Sequence, residues 1–206
     1  MSSVSILNII PKVTDSKFTE GFKFEIIFEV LSELKKDLEW KMIYIGSASD
    51  PNKDQELENV GIGPLQLGTM KFEMEGDAPD YKKIPKEDLI GVTAIILSCS
   101  YDQREFFRCG YYINNYYDSE ELIMNPPEEP DISHILRSVL VDKPRITVFT
   151  IKWDEVADPF INESDGCDNE NNMENKDNNN QNFMFQGGKM DIEEVKKIEG
   201  GKFVGK

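Results

Sequence analysis

Side chains for catalysis and metal binding are scarce in this 206-residue chain, which has one histidine and three cysteines. Cys99, Cys109 and Cys167 form an odd set without metal-ligand spacing, which points to reduced thiols in the cytosol or nucleus. A Cys–His nucleophile would need Cys99 or Cys109 beside His134, and both cysteines fall on core-facing strand positions. There is no glycine-rich phosphate loop and no nucleophile elbow. A non-catalytic binding module without a cofactor is therefore expected. Basic residues are few: 23 Lys and Arg stand against 39 Asp and Glu, a formal net charge of −16. That balance disfavours direct binding to nucleic acid or anionic membranes and favours a basic partner, or simply solubility. No apolar run reaches membrane-spanning length, and the start, MSSVSILNIIPKV, has no basic region or small-residue cleavage site, so no signal peptide is expected. The glycosylation triplet Asn162-Glu163-Ser164 has no role in a protein that is not secreted.

What the chain has in quantity is period-two alternation. A first strand runs from Val4 toward Val13 and ends at Pro11. FKFEIIFEVL places Phe22, Phe24, Ile26, Phe28 and Val30 on one face and Lys23, Glu25 and Glu29 on the other. LEWKMIYIG turns Leu38, Trp40, Met42 and Tyr44 inward, while Glu39, Lys41, Ile43 and Ile45 face out. GSASDPNKD is a loop by composition. A shorter strand lies near Leu57 to Ile62, and TMKFEMEGDAP alternates Met70, Phe72 and Met74 against Lys71, Glu73 and Glu75. Pro85 to Leu89 reads as one helical turn. NPPEEP excludes regular structure. Asp131 or Ser133 then caps a short helix through Leu140, and PRITVFTIKW, Pro144 to Trp153, is a last strand suited to an edge. Many short antiparallel strands predict an all-β, immunoglobulin-like β-sandwich with one short helix, in which Trp40 is a core residue.

The chain is organised around TAIILSCSYDQREFFRCGYYINNYY, Thr93 to Tyr117, two strands joined by a reversal. Ile95, Leu97, Cys99, Phe107, Cys109, Tyr111 and Ile113 share the core face. The other face carries Ser98 and Ser100, but also Ala94, Ile96, Phe106, Arg108, Gly110 and Tyr112. A two-residue turn at Asp102-Gln103 pairs odd positions with even ones. A three-residue loop, Tyr101 to Gln103, pairs odd with odd, keeps both apolar sets together and sets Ile96 beside Arg108; it is the preferred register. Aliphatic and aromatic groups around one arginine have the make-up of a protein-binding hot spot. Cover by another segment of the chain is the alternative.

After Asp154 the composition changes. Glu155, Asp158, Glu163, Asp165, Asp168, Glu170, Glu174 and Asp177 face a lone Lys176 among repeated asparagines. Residues 155–206 are expected to be a disordered acidic, Asn-rich tail beside a folded core at 1–154. MDIEEVKKI forms at most a transient helix. Asp50 and Asp54 suggest a calcium-dependent phospholipid-binding sandwich as the alternative function, although calcium takes roughly six to eight oxygen ligands.

FKFEIIFEVLSELKKDLEWKMIYIGSA, GDAPDYKKIP, DLIGVTAIILSCSY, EFFRCGYYINNYY and NPPEEPDISHILRSVL followed by KPRITVFTIKWD resemble the anti-silencing function family of histone chaperones over residues 1–154. The blocks DLEWK, GVT, RCGYYINN and NPP carry most of that resemblance. It implies a monomeric nuclear protein, with a cytosolic pool, that binds a histone H3–H4 heterodimer and covers its tetramerisation surface during nucleosome assembly and disassembly. Residues matching the family's H3-binding positions are Ile45, Asp54, Ala94, Ile96, Arg108 and Tyr112. The H4 C-terminal tail is implied to add as a strand near Pro144 and Arg145. Nucleosome-assembly complexes are implied to present a basic peptide to a second, opposite surface at Asp37, Glu39, Val60, Ile62 and Phe72. Three departures stand out: Ala94 replaces a usual valine, Lys36 a commonly acidic residue, and Gln103 a glycine expected at positive φ.

Overall fold

The computed structural model describes residues 2–154; the readings of Cys167, the Asn162 triplet and the acidic tail lie outside them. Among the described residues nine strands and one short α-helix follow in order: β1 Val4–Pro11, β2 Asp15–Lys17, β3 Phe22–Val30, β4 Leu38–Tyr44, β5 Gln55–Ile62, β6 Gly68–Gly76, β7 Gly91–Tyr101, β8 Arg104–Tyr117, α1 Glu120–Met124 and β9 Ile135–Val148. They form a three-stranded sheet, β1-β3-β6, and a six-stranded sheet, β2-β9-β8-β7-β4-β5, with every pairing antiparallel. The expected β-sandwich is the observed architecture.

Alternation explains the layers. In β3 every second residue, Phe22 to Val30, is buried, and β4 does the same with Leu38, Trp40, Met42 and Tyr44. The two sheets meet through these side chains. Trp40 packs against Phe72 across the layers at 5.8 Å between ring centroids, and Phe24 against Tyr111 at 5.7 Å. The Tyr111 hydroxyl donates to the Ile9 carbonyl at 2.9 Å, so a buried polar group is satisfied between the layers. Each fully buried aromatic or aliphatic side chain contributes about 1.5–3 kcal/mol by area.

Three local expectations are corrected. The segment expected as a helix from Asp131 or Ser133 to Leu140 is a single 3-10 turn, Ile132–His134, capped by Asp131; Ile135 onward belongs to β9. The last strand is correspondingly longer at its start and ends at Val148. The α-helix among the described residues is α1, capped by Ser119, whose hydroxyl accepts the Leu122 N–H.

The third correction concerns the hairpin. Tyr101 pairs with Arg104 across a two-residue turn in which Asp102 and Gln103 both have positive φ, 50° and 61°. A bulge then inserts Phe106, so that Cys99 faces Phe107, Leu97 faces Cys109 and Ala94 faces Tyr112. Odd positions do pair with odd ones, but through the bulge rather than through a longer loop. Ile96 consequently faces Gly110, and it is Ser98 that faces Arg108. The bulge also turns Phe106, expected on the outer face, into the core cluster, where it packs on Trp153 at 4.9 Å.

β2 is too short and polar to carry a periodic signal. It forms because it pairs with Leu136–Ser138 of β9. There Arg137, 2% exposed, stacks on the Phe22 ring at 3.7 Å and donates to Ser16 Oγ and to the carbonyls of Glu20 and Gly21, each at 2.9 Å.

Candidate functional site

Register places the predicted residues in rows across the outer face of the six-stranded sheet. The first row joins Ala94 to Tyr112 and Tyr112 to Leu140. Ile45 extends it, because its N–H donates to the Ala94 carbonyl at 3.0 Å. The second row runs Ile43, Ile96, Gly110, Arg145. The third runs Lys41, Ser98, Arg108, Thr147. Side chains opposite one another in such rows lie close enough to form one surface. The fold thus brings together Ile45, Ala94, Ile96, Arg108, Tyr112 and Arg145.

Burial within that surface is uneven. Ala94 and Ile45 are buried yet stand apart from the sandwich core cluster, whereas Ile96, Arg108 and Tyr112 are half-buried. Ala94 is only 1% exposed because its small side chain sits low between larger neighbours. Ala94 thus lies on the outer face, as its parity predicts, without being exposed. The surface is a shallow apolar floor with polar groups at one end.

Arg108 defines that end. Its Nε and Nη2 both donate to the Glu105 carboxylate at 2.7 Å, a side-on fork in which one carboxylate matches the guanidinium geometry. The Phe149 ring lies 5.8 Å from the guanidinium carbon. The fork to Glu105 holds the Arg108 guanidinium even more firmly protonated than usual. Phe149 itself is tied down by its N–H, which donates to the Phe106 carbonyl. Glu105 and Phe149 were not singled out by sequence reasoning. The opposite charges of Glu105 and Arg108, three residues apart, were the available signal.

Asp54 sits beside this grid, not in it. It ends the 3-10 turn Pro51–Lys53 that follows β4. A Cβ on Gly46 would come within 2.1 Å of the Lys53 carbonyl oxygen, so the close approach of this loop to β4 depends on glycine. Burial raises the Asp54 carboxyl above its ordinary value, although it accepts the Gly46 N–H. Asp50 accepts from Asn52 and caps the same turn, and among the described residues no group of three or more His, Cys, Asp or Glu is placed to hold a metal ion. Cys99 and Cys109 are buried, and burial pushes the Cys109 thiol up to about 11. His134 pairs with Asp118 at 3.0 Å.

Pro144 and Arg145 lie on an open edge. β2 pairs only with residues 136–138 of β9, so among the described residues the half from Pro144 to Val148 has β8 on one side alone. Ile146 and Val148 there are 60% and 70% exposed.

The second predicted set does not form one face. Val60 and Ile62 pair with Trp40 and Leu38 and turn inward at the β5 edge, and Phe72 turns inward on β6; all three are half-buried against the core. Asp37 precedes β4 and packs against Gly63, where an added Cβ would come within 1.7 Å of its carboxylate oxygen. Glu39, however, shares the outer parity of Lys41 and Ile43 and is ion-paired to Lys41 at 3.3 Å, so this set wraps the β4–β5 rim and is not wholly opposite the first. Lys36 is ion-paired with Asp102 of the hairpin turn, which holds the Asp102 carboxyl below its ordinary value.

The ASF1-like histone chaperone family model matches residues 1–154. The chain is 53% identical over 157 residues to histone chaperone asf-1 of Neurospora crassa, covering 76% of this chain and 58% of that protein. It is 52% identical over 159 residues to histone chaperone ASF1 of Coccidioides immitis, with 77% and 58% covered, and 49% identical over 172 residues to histone chaperone ASF1 of Candida glabrata, with 82% and 56% covered. The chain thus spans a little over half the length of these curated relatives. By a match that takes in the whole described sandwich, it belongs to the ASF1-like histone chaperone family.

Proposed function

We propose that this protein is a non-catalytic, monomeric chaperone of the histone H3–H4 heterodimer, nuclear with a cytosolic pool. The observation that carries the reading is the grid of cross-strand rows that assembles Ala94, Ile96, Arg108 and Tyr112, with Ile45 in line, on one half-buried face. An apolar floor with Arg108 at its end suits an amphipathic helix laid across strands. Occupying the H3 surface that joins two heterodimers keeps H3–H4 dimeric and allows its hand-over during nucleosome assembly and disassembly.

Two accessory contacts extend the proposal. The open half of β9, Pro144 to Val148, offers main-chain groups to which the H4 C-terminal tail adds as a strand, next to Arg145. The β4–β5 rim, with Asp37, Glu39, Val60, Ile62 and Phe72, takes a basic peptide from nucleosome-assembly complexes. The acidic, asparagine-rich sequence beyond Asp154 speeds encounter with basic histones.

The test is light scattering of the full chain mixed with purified recombinant H3–H4 at moderate salt. The expected mass is that of one chaperone, one H3 and one H4. A complex containing an intact H3–H4 tetramer, or no complex, refutes the reading.

A further inference from the structure

The Glu105–Arg108 fork has a consequence for recognition beyond the presence of an arginine. Glu105 occupies Nε and one N–H of Nη2. A guanidinium has five N–H groups, so the Nη1 edge and the second N–H of Nη2 lie outside the fork. Both partners are part-buried, the backbone between them is pinned by the bulge at Phe106, and Phe149 lies beside the guanidinium. The arginine is held in one pose before any partner arrives. Its charge is also already balanced, so covering the pair does not bury a lone cation.

We infer that Glu105 is a positioning residue for histone recognition: it locks Arg108 so that only the guanidinium end edge is offered to an acceptor on H3, a carboxylate or a helix C-terminal carbonyl. This rests on the proposed histone face. A side-on approach by a partner carboxylate is closed, because Glu105 already fills it. Preorganising a long side chain removes an ordering cost at the moment of binding. Glu105 acts through Arg108 and has no contact of its own with the partner.

A double-mutant cycle on the full chain separates this role from a direct contact or from a merely structural one. The probe is purified recombinant H3–H4 and the readouts are Kd and melting temperature for Glu105→Gln, Arg108→Ala and the double variant. Arg108→Ala is expected to weaken binding by at least roughly thirtyfold, the size of a hot-spot truncation. Glu105→Gln, which keeps the shape but not the charge, is expected to weaken it about tenfold in the wild-type background. In the Arg108→Ala background Glu105→Gln is expected to change nothing. Additive losses overturn the inference, since Glu105 would then contact the partner itself. An unaltered Kd for Glu105→Gln overturns it as well. A loss that tracks a lowered melting temperature equally in both backgrounds makes Glu105 structural only. If Arg108→Ala itself binds normally, the histone face is wrong and this inference falls with it.

Discussion

Ala94→Arg is the sharpest probe of the outer face. Ala94 is 1% exposed although its parity points away from the core, because Ile45 and Tyr112 flank it in its row. An arginine stem must rise over those neighbours, and overpacking of this kind costs about 1–3 kcal/mol. A domain of this size loses roughly 2–4 °C per kcal/mol, so the melting temperature is expected to fall by about 2–12 °C with the transition still cooperative. Repulsion from Arg108 contributes little. Arg108 is four residues along β8 from Tyr112, roughly 13 Å at the strand rise, against a Debye length of about 8 Å at physiological salt. The loss in binding comes instead from desolvation: a guanidinium pressed between this floor and H3 without an acceptor costs at least about 3 kcal/mol, roughly 150-fold in Kd. Fluorescence titration of purified H3–H4, beside a thermal melt, measures both effects. Ala94→Val runs the other way: two added methyl groups at about 0.8 kcal/mol each tighten binding by up to roughly tenfold. If Ala94→Arg melts cooperatively and titrates H3–H4 like the wild type, this face is not the histone site.

Three further outcomes are expected. Gln103→Gly relieves a side chain held at φ 61°, and should stabilise the protein by about 1 kcal/mol, read as a rise in denaturation midpoint at unchanged slope; no rise means that the turn is not strained. Asp37→Asn keeps the packing against Gly63 and removes a charge from the β4–β5 rim, so capture of a Lys/Arg-rich peptide should weaken about tenfold while H3–H4 titration stays unchanged; equal loss of both refutes two separate surfaces. A chain ending at Asp154 should melt like the full protein, whereas one ending at Val148 should melt at least roughly 5 °C lower, because it loses Trp153 from Tyr101 and Phe106 and the Asp154 carboxylate from the Lys35 N–H.

Much of the fold was legible because two of its interior strands, one in each sheet, alternate without exception in burial. β3 and β4 could hardly be read otherwise. The outer-face set was legible for the complementary reason: Ala94, Ile96 and Tyr112 put apolar groups where a solvated sheet needs polar ones. The first half of β9 was missed through a single residue. Ile135, Arg137 and Val139 are buried in alternation, but an arginine at an inward position breaks the pattern by eye, and Asp131 with Ser133 supplied a convincing helix start. Arg137 is tolerated there because the Phe22 ring and two main-chain carbonyls replace water, a tertiary arrangement no local window contains. The bulge at Phe106 was equally invisible, since parity arguments count residues and cannot see one step added beyond a turn. Glu105 went unread although its charge, three residues before Arg108, was in view: in a regular strand the two face opposite ways, and only the bulge at Phe106 brings the carboxylate onto Arg108.

The unpaired half of β9 has a cost in the cell. Between Lys143 and Val148 the strand pairs with β8 on one side and with no other described strand, beside the exposed Ile146 and Val148, and a second copy could pair there sheet to sheet. Lys143 and Arg145 bring like charges together in such a pair, and Pro144 removes one donor, so the edge is guarded at its start. Past Arg145 the guard ends. This edge, open for the proposed H4 tail, is thus the place where overproduction or heating should first drive aggregation, and on that proposal a client in residence protects its own carrier from it.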